Sequence, residues 1–249
     1  MPGPFRTFVA LGDSVTEGVG DPLPGGELRG WADRLADGLR ALNPDLVYAK
    51  LARRSLVSRE ILERQLGPAL ELRPDLASAI VGMNDAIQPD FEPGSVAGPL
   101  EELVTALAGA GATVLTSTLP DVSRLLPIPP RARARVRERL GAVNEVVREV
   151  SARLGTVLVD AEVFPEELHS RNWSLDRLHP NSRGHLLIAK AFASQLESLR
   201  GIEIPMPDPE PVRRLGLENA RHARWLVGHV AGGQARRIRS RLPGRREAG

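Results

Sequence analysis

"FVALGDSVTEG", residues 8–18, joins a short apolar run to a cluster of small and polar residues, and its reading decides the fold. Four consecutive apolar residues closed by a glycine describe a strand buried on both faces, as a parallel sheet requires. Similar runs recur at 46–52 (LVYAKLA), 75–82 (DLASAIVG), 112–118 (ATVLTST) and 155–161 (GTVLVDA). The stretches between them, 30–42, 58–72, 94–111, 131–155 and 181–199, carry apolar residues every three or four positions, the spacing of amphipathic helices. This βα alternation predicts a three-layer α/β/α sandwich around a mostly parallel, flavodoxin-like five-stranded sheet. Ligands bind such sheets at the carboxyl ends of the strands. Attention therefore falls on GDSVTEG, RRSLVS and GMNDAI, the polar exits from the first three strands.

Composition bounds the chemistry. The 249 residues, 42% hydrophobic, suit one packed domain, here residues 1–200, with an appendage at 201–249 that opens on the linker-like GIEIPMPDPEPV. The absence of cysteine excludes disulfides, thiol nucleophiles and zinc–thiolate sites, so a nucleophile must be oxygen or nitrogen. No apolar run reaches the roughly 18 residues of a membrane span. The first residues carry neither a basic lead nor a cleavable apolar segment, which makes a cytoplasmic chain the expectation. Net charge is +2, yet residues 212–249 hold ten arginines against Glu218 and Glu247 and leave the remainder at −6. Such a basic tail suits an anionic surface such as phospholipid, or a helix docked on the body; the body itself carries no nucleic-acid signal. The alternating arginines from Arg131 to Arg139 spread around a helix and read as a solvated helix start.

Ser14 falls at the corner between first strand and first helix. Asp13, Ser14 and Thr16 are all capping residues, and Ser14 with Glu17 matches a capping box, so a cap is one reading of this serine. A nucleophile is the other, and it needs a base. Of the five histidines, His179 stands apart from His169, His185, His222 and His229. It lies in DRLHPN, where Pro180 holds it out of a helix and Asp176, three residues earlier, can reach Nδ1 and orient the ring. An Asx-type turn beside an ordinary histidine is the alternative. Oxyanion charge would need donors at the same edge. Asn84, reached from its strand through Gly82 and Met83, can supply a side-chain amide; the Ser14 N–H and a main-chain N–H near Ser55 are the further candidates.

Together GDSVTEG, GMND and DRLHPN, in this order and spacing, resemble the motif blocks of the SGNH hydrolases, the GDSL-type lipases and esterases, over residues 5–199. The resemblance implies Ser14 as nucleophile, Asp176 and His179 as the rest of a triad, and Ser14 and Asn84 in the oxyanion hole, with Asp13 and Gly82 supporting them. It implies a carboxylic-ester hydrolase working through an acyl-enzyme on a small-molecule ester, with no metal or cofactor. The second block departs from the pattern: Ser55 stands where the family has glycine, and Lys50 where asparagine is frequent. A serine can still offer its N–H if the backbone conformation survives, although a positive φ costs a non-glycine residue energy. An acyltransferase using the same acyl-enzyme, or a catalytically weak binder of an acylated or glycosylated ligand, are the alternatives. The loops at 20–30 and 121–130 are expected to shape substrate choice.

Overall fold

The computed structural model describes residues 4–163 and 169–207. Five strands, β1 (Thr7–Gly12), β2 (Val47–Lys50), β3 (Leu76–Ile80), β4 (Thr113–Ser117) and β5 (Val157–Val159), form one sheet in the order β2-β1-β3-β4-β5. Every neighbouring pair is parallel. The expected sandwich is therefore present, and all-parallel where a mostly parallel sheet was expected.

Alternation along each strand sends side chains to two separate cores, as a sheet covered on both faces requires. Val9, Leu11, Ala77, Ala79 and Val114 face a core shared with α3 (Ser58–Glu71), α5 (Gly94–Gly109) and α6 (Pro130–Leu154). Phe8, Ala10, Leu76, Ile80 and Leu115 face the other, shared with α2 (Trp31–Leu42) and α7 (Ser182–Arg200). Trp31 and Phe192 stack there at 4.7 Å between centroids and tie α2 to α7. Two single-turn helices, α1 (Ser14–Glu17) and α4 (Met83–Ala86), follow β1 and β3 directly.

The strand order places a switch point between β1 and β3, because the chain leaves β1 for β2 on one side and returns to β3 on the other. α1 and α4 flank that crevice, so Ser14 and Asn84 begin on opposite lips of it. Beyond α7 the chain stays on the body through residue 207: Ile204 is buried in the second core, and its N–H donates to Glu197 Oε1 at 2.8 Å. The basic tail at 212–249 lies outside the described residues. Among the described residues no helix is long and apolar enough to cross a membrane.

Candidate active site

The corner after β1 assigns separate tasks to adjacent residues. Asp13 is the N-cap of α1, its Oδ1 accepting from Val15 N at 3.1 Å, and Ser14 is the first helical residue. The capping role thus goes to Asp13, and the Ser14 hydroxyl stays available. Glu17 does not close a capping box either; its carboxylate accepts from Arg54 N at 2.8 Å and from the Arg54 side chain at 3.0 and 3.2 Å. Gln65 on α3 braces the last residue of β1, its amide exchanging two 2.9 Å hydrogen bonds with the Gly12 backbone.

Across the crevice, residues 173–180 form a tight turn closed by a bridge between Trp173 and Pro180. Ser174 N donates to the His179 carbonyl at 2.9 Å, and Arg177 takes a positive φ of 56° to complete the bend. Asn181 caps α7 by accepting from Arg183 N and Gly184 N, and its Nδ2 donates to the Arg171 and Trp173 carbonyls. His179 Nε2 lies 3.0 Å from Ser14 Oγ, and its Nδ1 lies 2.7 Å from Asp176 Oδ2. The other Asp176 oxygen accepts from Leu178 N, His179 N and the Ser174 hydroxyl at 2.9, 3.0 and 2.7 Å. Burial alone would raise the Asp176 pKa, but hydrogen bonds from His179 and these backbone donors outweigh it and hold the carboxyl down to about 2.

Asn84 lies in α4, beneath a Gly82 whose φ of 105° and 2.5 Å clearance between a notional Cβ and Val143 admit no side chain. Its Nδ2 donates to the Leu56 carbonyl at 2.9 Å and to Asp13 Oδ2 at 3.3 Å. Ser55 adopts the glycine-like conformation outright, with φ at 67°. It is held there from both sides. Arg54 is clamped by Glu17, Leu56 by Asn84, and Ser58 by Asp85, which accepts from both its N–H and its hydroxyl. Among the described residues, neither the Ser55 N–H nor the Ser14 N–H at the start of α1 is given a protein acceptor.

All the residues expected at the site, Asp13, Ser14, Ser55, Gly82, Asn84, Asp176 and His179, thus come to the β1–β3 crevice. Glu17, Gln65, Asp85 and Ser174 were not expected there. A polar residue on the buried stripe of α3 was the one signal for Gln65. Glu17 and Asp85 depend on contacts between distant segments, and Ser174 on the fold of its own turn. A cavity of about 60 Å³ lies behind the site, walled by Val15, Ile80, Leu119, Leu178 and Ile188, with Asp13 a polar group on its wall. Burial raises the Asp13 pKa to about 6, against the opposing pull of Val15 N–H and His179. The two described histidines besides His179 lie elsewhere: His169 caps a short turn, and His185 is buried in α7 with Nε2 on the Val19 carbonyl. Among the described residues no three His, Asp or Glu side chains are grouped to hold a metal ion.

Solved structures share this architecture. LAE5, an alpha/beta hydrolase enzyme from the metagenome of Lake Arreo, Spain, is 24% identical, with 80% of this chain and 98% of that one covered at a TM-score of 0.64. The psychrotrophic esterase EstA from Pseudoalteromonas sp. is 20% identical over 79% of this chain and 100% of that one, at 0.60. The acetylxylan esterase Axe2 from Geobacillus stearothermophilus is 20% identical over 78% and 95%, at 0.59. A comparison with curated proteins finds no match. The model of the GDSL-like lipase/acylhydrolase family matches residues 10–187, which span both lips of the crevice from β1 into α7, and the chain belongs to that family of ester hydrolases.

Proposed function

We propose that the protein hydrolyses a small-molecule carboxylic ester through a Ser14–His179–Asp176 triad and an acyl-enzyme. The observation that carries this reading is the unbroken line from Ser14 Oγ to His179 Nε2 to Asp176, at 3.0 and 2.7 Å. His179 Nε2 takes the hydroxyl proton as Ser14 Oγ attacks the ester carbonyl carbon. The charge that develops on the carbonyl oxygen is met by the Ser14 and Ser55 N–H groups and the Asn84 amide. His179 then passes its proton to the departing alcohol, leaving the acyl group on Ser14. A water deprotonated by His179 attacks the acyl carbon, and the proton returns to Ser14 Oγ as the acid leaves. Asp176, held ionised and fixed by three further donors, sets the tautomer that leaves Nε2 as acceptor.

The φ of Ser55 supports hydrolysis over ligand binding alone, because it presents an N–H as a glycine would. Hydrolysis of short- and medium-chain nitrophenyl esters by the wild type and Ser14→Ala tests the reading. The variant is expected to fold normally and lose roughly 10³-fold or more in kcat. Wild-type turnover retained in the folded variant would overturn the assignment of Ser14. Product analysis with a competing alcohol separates hydrolysis from acyl transfer; ester formation exceeding hydrolysis would reassign the enzyme as a transferase.

A further inference from the structure

Asn84 enters the site with both hydrogens of its amide already engaged, unlike the two backbone donors beside it. One goes to the Leu56 carbonyl at 2.9 Å and the other to Asp13 Oδ2 at 3.3 Å. An oxyanion can receive a hydrogen from this amide only if one of those partners gives way. The 3.3 Å contact is beyond the usual length of an N–H···O bond, whereas the 2.9 Å contact is a normal one. Asp13 is therefore the partner that yields.

We propose that Asp13 is a positioning residue for the oxyanion hole: its carboxylate, together with the Leu56 carbonyl, points the NH₂ end of Asn84 toward Ser14 and releases one hydrogen as the oxyanion forms. The inference rests on the esterase reading above. Two acceptors at one end of an amide leave only one favourable flip, because Asn84 Oδ1 in that place would face two oxygens. The same carboxylate caps α1 through Oδ1 at Val15 N, so one planar group spaces the helix that carries Ser14 from the amide that serves the oxyanion. Asp13 is 3% exposed and abuts the apolar cavity, which leaves little room for solvent to stand in for it. Of the titratable groups around it, His179 favours the ionised form and Asp85 opposes it. With its pKa near 6, the group is a pure acceptor above neutrality.

Two readouts on the full chain test this. The first is the side-chain ¹⁵N–¹H resonances of Asn84, assigned by their loss in Asn84→Ala. Asp13→Asn is expected to move one of the two amide protons upfield; unchanged resonances overturn the proposal. The second is a double-mutant cycle on kcat with a nitrophenyl ester. Asp13→Asn is expected to lower kcat about tenfold with KM within about twofold, yet to change kcat less than about twofold when Asn84 is already alanine. An equal loss in both backgrounds shows that Asp13 acts by another route and overturns the proposal. Asp13→Ser, which can still cap Val15 N but is too short to reach Asn84, is expected to reproduce both results should the asparagine variant fold poorly. An inert wild type overturns the esterase reading, and with it the release step, even where the Asn84 resonance moves.

Discussion

At Ser55 a side chain occupies a conformation that costs an L-residue about 1 kcal/mol. Three clamps, from Glu17, Asn84 and Asp85, hold it there. Ser55→Gly is expected to retain activity within a few-fold and to leave the melting temperature equal or higher, because relief of strain offsets the extra backbone entropy of glycine. Ser55→Val, β-branched at a positive φ, is expected to lower both; steady-state kinetics and thermal melts check the pair. The departure from the family's glycine was legible in the sequence, but its consequence was not, since the clamps come from residues 17, 84 and 85. His185 was legible as a helical residue but not as a buried base. Burial lowers its pKa to about 3, with the positive charge of Arg34 adding to the effect. Between the usual histidine value and pH 3 the unfolded chain takes up a proton that the folded one refuses, so stability falls as pH falls through that window. Asp13 acts oppositely from about pH 6 to 4, where the folded form binds the proton and gains stability as pH drops. His185→Gln is expected to remove an acid penalty on the order of several kcal/mol and leave urea midpoints flat or rising from pH 6.5 to 4. Midpoints that still fall as in the wild type would assign the acid sensitivity to another group.

Among the elements, the turn at 173–180 is held largely by local constraints: the Ser174–His179 backbone bond, the three donors on Asp176 and the Asn181 cap. That locality is why the pairing of Asp176 with His179 and the start of α7 were both legible in DRLHPN. What the segment alone could not disclose is the support beneath it. Gly20, at a φ of 110°, runs so close under Pro180 that a Cβ would lie 1.9 Å from its carbonyl oxygen. Gly20→Ala is therefore expected to displace the turn, cost a few kcal/mol of stability and lower kcat far more than it raises KM. Denaturant melts and kinetics would show this, and an alanine variant with wild-type kcat would mean that the turn accommodates the shift. The second-block segment is clasped to α1 in the same way by Arg54 and Glu17. Glu17→Gln loses the charge of that clasp and is expected to weaken catalysis severalfold without unfolding the protein.

For the whole molecule, periodicity was enough to read the layers, the five strands and the crevice, because buried parallel strands and amphipathic helices follow short-range rules. The linker-like reading from residue 201 rested on proline content, which says nothing of packing. Ile204, in the second core, lies within that stretch. Compared with truncation after residue 207, truncation after residue 201 uncovers the Ile204 site and is expected to cost about 1.5–3 kcal/mol more. Calorimetry on both chains checks this, and equal melting temperatures would show that the segment contributes nothing. The contact between Ser14 and His179 joins residues 165 positions apart, the one just after β1 and the other just before α7. On the triad proposed above, a ribosome making this chain delivers the nucleophile early, while its base follows only when about nine-tenths of residues 1–200 have been made, so the growing domain is inert until then. Ester hydrolysis by a growing chain would switch on in a single late step, making the enzyme a reporter of its own completed domain.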